Sequence, residues 1–182
     1  MKKKSDEKLK IIPLGGLEQI GMNITAFECQ DSIVLVDCGL SFPEDDMLGV
    51  DLVIPDVTYL LENADKVKGL CITHGHEDHI GAIPYILKQI NMPIYATKLT
   101  NGLIENKLKE HGMLRTVKRK VVKYGQSINL GCFRIEFIKT NHSIQDAAAL
   151  ALFSPAGIVV HTGDFKVDYT PVFGDAIHLQ RF

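Results

Sequence analysis

The chain has 182 residues, of which 46% are hydrophobic and 23% charged. These proportions exclude a disordered tail, a collagen-like repeat and a coiled-coil rod, and the length fits one domain with at most a piece of a second. A net charge of −2 excludes a protein held to nucleic acid by global basicity, while a local basic groove stays open.

Residues 1–10 are polar, open on Lys2, Lys3 and Lys4, and are expected to be disordered. No apolar segment follows those lysines, so no secretory signal is expected. Residues 10–14 form a short apolar run closed by Gly15 and Gly16. Residues 23–28 and 32–36 are dense in apolar side chains and flank a turn at Gln30 and Asp31, which predicts two strands. Residues 41–51 form a loop with Pro43, Gly49 and several acids, and residues 56–63 fit a short helix with Asp56 as its N-cap. Residues 69–73 predict a buried strand of the parallel type. Ile80, Ile83, Leu87 and Ile90 then recur at helical spacing, and Pro84 either kinks that helix or marks its true start.

A strand at 93–97 and a helix at 100–111 follow; Leu103, Lys107 and Glu110 give that helix a mostly polar outer face. Residues 118–124, 132–139, 147–153 and 157–162 predict strands, with turns at Gly125, Gly131, Asn141 and Pro155-Ala156-Gly157. Strands, then strands alternating with helices, then strands again predict a layered α/β domain, although periodicity alone does not choose its topology. The longest apolar stretch, 147–160, is interrupted by Ser154, Pro155 and Gly157 and is shorter than the roughly 20 residues that span a bilayer. Cys29, Cys38, Cys71 and Cys132 form no C-x-x-C pair and mostly lie in apolar runs, which favours small buried hydrophobes in a reducing cytosol over a metal or redox site.

Three of the seven histidines fall within six residues, in His74-Gly75-His76-Glu77-Asp78-His79, directly after the strand ending at Thr73. Ligands of open α/β sheets bind beyond the carboxyl ends of strands. His74 and His76, two residues apart, can point the same way. Asp78 and His79 lie one step further on, near a helix start. Four such donors can serve two metal ions about 3.5–4 Å apart. A solvated polar loop would not explain an aspartate set among three scarce histidines. His142, in Thr140-Asn141-His142-Ser143, and Asp164, in Thr162-Gly163-Asp164, also follow predicted strands and can complete the site.

This order of motifs resembles the metallo-β-lactamase superfamily, and the flanking text is similar to the bacterial ribonuclease J family, a β-CASP-type group of metallonucleases. The stretches that carry the resemblance are residues 14–23, Val36-Asp37-Cys38-Gly39, Phe42-Pro43-Glu44-Asp45, residues 73–84, residues 107–111, His142-Ser143-Ile144 and residues 161–166. The resemblance implies an αββα sandwich, of which residues 11–182 would be the N-terminal portion, without the β-CASP insertion, the late histidine or the returning strands. It implies that His74, His76 and His142 hold one metal, that Asp78 and His79 hold a second, and that Asp164 bridges them. Asp37 would steady the histidine loop from behind. Asp78 and Asp164 are then the catalytic carboxylates, with Asp78 open as a proton acceptor as well as a ligand.

Two divalent ions are implied for the full-length enzyme, zinc first and manganese as the second choice, with the second position incomplete in this chain because the late histidine is absent. Zinc lowers the pKa of bound water to about 7, which makes hydroxide available for phosphodiester hydrolysis. The implied activity is exo- and endonucleolytic RNA processing and decay in the cytoplasm, on single-stranded RNA with a 5′-monophosphate. The enzyme would be a homo-oligomer without membrane attachment, and this chain alone would be inactive. A thioesterase-type hydrolase of the same superfamily and a non-catalytic metal-binding fragment are the alternatives.

Weaker signals remain. His161 reads as a satisfied core histidine before a site residue, and His111 and His178 as surface or turn residues. Arg115, Lys118, Arg119, Lys120 and Lys123 form the one dense basic run; a solvated strand edge is favoured there over an RNA track. The glycines make neither G-x-G-x-x-G nor a P-loop.

Overall fold

A computed structural model describes residues 7–172 and 174–182. Among the described residues, ten strands form two sheets. The first has six strands in the order β1 (Leu9–Gly15), β2 (Ile24–Cys29), β3 (Ser32–Val36), β4 (Val67–Cys71), β5 (Ile94–Ala96) and β6 (Arg119–Val121). β1, β2 and β3 pair antiparallel, whereas β3 to β6 pair parallel, with helices in the crossovers. The second sheet is antiparallel, in the order β10 (Gly157–His161), β9 (Ala148–Ser154), β8 (Phe133–Lys139) and β7 (Ser127–Leu130).

β3 shows why the layers form. Every residue of Ser32–Val36 is buried. Alternation sends Ile33 and Leu35 to one face and Val34 and Val36 to the other. On the first face they meet Ile80, Ile83, Ile86, Ile104 and Leu108 from the helices. On the second they meet Phe133, Ile135, Phe137, Leu150 and Leu152 from the second sheet. A strand covered on both faces reads as a continuous apolar run, as this one does. The outer face of the second sheet carries Ile138, Ala149 and Ala151. The end of the described chain lies over it: His178 N–H donates to the Lys139 carbonyl at 3.2 Å, and Arg181 grips the Glu136 carboxylate with two bonds of 2.6 and 2.5 Å.

Several expectations shift. Disorder was expected through residue 10, but β1 begins at Leu9, because Lys10 faces Glu28 across the β1–β2 ladder; residues 1–6 lie outside the described residues. Asp56 is not the N-cap. Helix α1 is Thr58–Glu62 with Val57 in the cap position, and Asp56 instead accepts bonds from the Thr58 amide at 2.8 Å and the Thr58 hydroxyl at 2.6 Å. The helical run after the histidines is two helices, α2 (Glu77–Ile80) and α3 (Ile83–Gln89), with Pro84 in the first turn of α3, where its missing N–H costs nothing. Helix α4 is Lys98–Glu110, and β7 was not anticipated. The basic run supplies β6, an edge strand, where Arg119 is committed to Glu105 at 2.7 Å and Asn101 at 3.2 Å.

The four cysteines are free, with Cys29, Cys38 and Cys71 buried and Cys132 half-buried. Burial pushes the Cys38 and Cys71 thiols well up, which keeps them protonated and inert. No helix among the described residues is long and apolar enough to cross a membrane.

Glu28 anchors the outer end of the first sheet. Its buried carboxylate accepts from the Tyr59 hydroxyl, from Lys10 at 2.9 Å and from Lys66 at 3.3 Å. The Tyr59 hydrogen bond and the two lysines outweigh burial and bring Glu28 down to about 2 from 4.5. A carboxylate depressed on folding stabilises above its unfolded pKa and loses that contribution as pH falls through the folded one. The shift corresponds to at most about 3 kcal/mol, less after screening of the lysines by water. Wild type and Glu28→Gln should therefore differ most above pH 4.5 and converge toward pH 2 in urea unfolding; a gap independent of pH would contradict this assignment.

Candidate metal centre

Four strand ends converge at one edge of the two sheets. β3 delivers Asp37, β4 delivers Thr73 and the His74–His76 loop, β8 delivers His142 and β10 delivers Asp164. Asp78 and His79 come from α2, whose first turn begins immediately after His76. All seven expected site residues are thus brought to one place.

Asp37 organises the histidines from behind. It is 1% exposed and has a left-handed backbone, φ 61°, which aspartate tolerates better than most residues. Its Oδ1 accepts from the Thr73 amide at 2.8 Å, and its Oδ2 from the Thr73 hydroxyl at 2.8 Å and from His79 Nδ1 at 2.8 Å. A carboxylate only accepts, so the Thr73 hydroxyl spends its proton on Asp37. The 3.0 Å contact from Thr73 Oγ1 to His74 Nδ1 must then be donated by His74. Both histidines therefore carry their proton on Nδ1 and turn the Nε2 lone pair into the site. Thr73 is a residue of the site that the sequence did not single out; it stood only as the strand end before His74 and within the stretch 73–84.

The electrostatics agree for His74 and His142. Burial holds His74 down at about 3, with the neighbouring His79 adding to the effect, so it is neutral at physiological pH. Burial likewise lowers His142, and Asp164 opposes it. Burial also works against protonated His79, but Asp37, Asp78 and Asp164 outweigh it and raise its pKa. Burial opposes ionisation of Asp37, yet the His79 hydrogen bond keeps its carboxyl below the usual range.

Two donor clusters emerge that share His74. His74, His76 and His142 form one; His74, His79 and Asp164 form the other; within each, the ligand atoms lie within 4.8 Å of one another. His74 Nε2 and His76 Nδ1 are 3.0 Å apart. Asp164 Oδ2 stands 3.6 Å from both His79 Nε2 and His142 Nε2, between the two clusters. Zinc–ligand bonds of about 2.0–2.2 Å at tetrahedral angles require donor separations of about 3.3–3.6 Å. The donor set therefore fits divalent ions. Asp78 belongs to neither cluster, although its Oδ2 is 3.5 Å from His79 Nε2.

His161 is half-buried, rests edge-on against Phe27 at 6.2 Å and accepts from the Gly163 amide at 3.2 Å. It lines a cavity of about 310 Å³ together with Asp37, His79 and Asp164, so it shapes the site while its ring is satisfied by the backbone. His111 packs on Tyr85 at 5.2 Å, and His178 is exposed, both away from the cluster.

A fold of two sheets with a helical layer and a histidine–aspartate cluster at its strand ends defines a domain built around a candidate metal site. The family model of the metallo-beta-lactamase superfamily matches residues 23–177, and the chain belongs to that superfamily. Curated relatives are more specific in name. Ribonuclease J of Synechocystis is 50% identical over 96% of this chain and 28% of its own length. Ribonuclease J 1 of Streptococcus pyogenes is 48% identical over 94% and 30%, respectively, and ribonuclease J of Thermus thermophilus 43% identical over 96% and 32%. The chain thus spans about a third of the length of these relatives. Among solved structures, a protein of unknown function from Enterococcus faecalis superposes with a TM-score of 0.68 at 18% identity, over 88% of this chain and 44% of that one. The metallo-beta-lactamase fold protein YhfI of Bacillus subtilis gives 0.54 at 22% identity, over 87% and 62%. These two likenesses establish the fold.

Proposed function

We propose that this chain is the metal-binding part of a ribonuclease that hydrolyses RNA phosphodiester bonds. The observation that carries the reading is the pair of donor clusters sharing His74, with Asp164 3.6 Å from a histidine of each. The relatives named ribonuclease J supply the substrate class. In this reading His74, His76 and His142 hold one ion, Asp78 and His79 hold the second, and Asp164 spans both. Zinc suits the three-imidazole position, and the carboxylate-rich second position also suits manganese. When bound, such ions stabilise charge on phosphate oxygens and acidify water.

The chain's own residues do the rest. Asp37 and Thr73 fix the tautomers of His79 and His74, so that no reorganisation is needed when ligands bind. Asp164, the most exposed member of the set, faces the open side from which substrate arrives. The Asp78 carboxylate is open as a ligand or, instead, as the acceptor of a proton from the attacking water. The RNA taken would be single-stranded and 5′-monophosphorylated, cut both from the end and internally, by a cytoplasmic homo-oligomer.

The test is hydrolysis by the protein carrying this chain, with RNA and a thioester offered in parallel. RNA turnover abolished by a chelator and by His76→Ala, with the thioester untouched, is expected. Thioester turnover without RNA cleavage would replace this reading by a small-molecule hydrolase, and metal uptake without either would leave a binding module.

A further inference from the structure

Asn23 has no place in the ligand set, yet its side chain reaches the centre of it. Its Nδ2 lies 3.2 Å from Asp78 Oδ2 and 3.2 Å from His79 Nε2. An amide nitrogen carries two protons, so it can donate to both at once. His79 Nδ1 is already committed to Asp37 at 2.8 Å, which leaves Nε2 as the lone-pair atom. One amide therefore addresses the donor atom of His79 and one oxygen of Asp78, the two residues of the second metal position.

The backbone holds Asn23 there independently of its side chain. Its N–H donates to the Asp78 carbonyl at 3.0 Å, and its carbonyl accepts from the Gly39 amide at 3.0 Å. On the far side, the Cys38 amide donates to the His79 carbonyl at 2.8 Å, and the Leu40 amide to that of Glu77 at 3.3 Å. These three segments meet backbone to backbone. A Cβ on Gly39 would stand 1.5 Å from the Asp78 carbonyl oxygen, and one on Gly16 would stand 2.9 Å from Asn23 Oδ1. Both glycines make room for the approach.

We infer that Asn23 is a positioning residue, whose amide holds Asp78 Oδ2 so that the other carboxylate oxygen and His79 Nε2 face the second metal position together. Asp78 needs such a partner. It is half-buried, 33% exposed at the side chain, and no other described side chain donates a hydrogen bond to it. A carboxylate free to rotate would lose side-chain entropy on binding an ion, and a fixed donor removes that cost in advance. When an ion occupies His79 Nε2, the Asp78 oxygen becomes the sole acceptor left to the amide. The hydrogen bond then acts on the ligand rather than on the metal, as outer partners of metal sites do.

This inference rests on the two-position reading above, and the test separates the two. Cobalt(II) is titrated into the metal-free protein carrying this chain, with visible absorption and a competing chelator reading each step. Asn23→Leu keeps the volume of the side chain without its donors, and Asn23→Ala removes both. The expected result is an unchanged first step and a second step weakened about 10–100-fold in both variants, with metal-free melting temperatures near wild type. If Asn23→Leu binds the second ion as wild type does, the side chain is only filler and the inference is overturned. It is also overturned if both steps weaken together and the metal-free variants melt early, since Asn23 would then serve the fold. A wild-type titration with only one step defeats the two-position reading itself, and this inference with it, before any Asn23 variant is measured.

Discussion

Asp164→Ala should lower RNA hydrolysis by about 10³-fold or more and barely change the melting temperature. The separation of effects follows from position. The Asp164 side chain is 47% exposed, so its removal opens no cavity and leaves no buried donor unmet. Its oxygen, however, stands equally far from His79 and His142, where water could not replace it without both ions moving. Charge stabilisation by metals amounts to several kcal/mol, and each 1.36 kcal/mol is a factor of ten. His76→Ala should act similarly, through the first position alone. Steady-state cleavage with metal content measured on the same sample checks this; near-normal turnover with both metals retained in Asp164→Ala would place the bridge elsewhere.

Asp37→Ala should be the most damaging single change to stability. It strips the acceptor from the Thr73 amide, the Thr73 hydroxyl and His79 Nδ1 at a position 1% exposed. Each buried donor left unmet costs about 1–3 kcal/mol, and three are left here, so a loss of about 3–5 kcal/mol is expected in urea unfolding. Asp37→Asn separates folding from chemistry. Its carbonyl can still accept from the Thr73 amide, but its NH₂ would face His79 Nδ1 and drive the imidazole proton to Nε2. That variant should fold better than Asp37→Ala yet lose affinity at the His79 position. Equal metal affinity in wild type and Asp37→Asn would show that the carboxylate does not set the tautomer.

The layers and the clustering of the candidate site residues were legible for the same reason: each is written in local sequence. Ser32–Val36 is an unbroken apolar run because both its faces are covered, and the histidine loop announces itself by spacing. Residues whose role is to touch something distant in sequence were not. Asn23 meets Asp78 and His79 across separations of 55 and 56 residues, and Thr73 meets Asp37 across 36. A small polar residue beside a turn carries no periodicity to betray such a contact. The β7 strand was missed because Ser127–Leu130 is only four residues long, with just two apolar side chains, one arm of an edge hairpin. The start of β1 was missed because Lys10 reads as solvated until Glu28 is seen opposite it.

The basic run was legible in a different way. Its lysines and arginines mark a sheet edge, and Arg119 spends its guanidinium on Glu105 and Asn101 rather than offering it outward.

Crystals of the protein carrying this chain, soaked in zinc with anomalous scattering recorded at the zinc edge, test the two-position centre most directly. Two peaks about 3.5–4 Å apart are predicted, one among His74, His76 and His142 and the other against Asp78 and His79, with Asp164 between them. A single peak elsewhere on the surface, or no ordered metal among these six side chains, would contradict it.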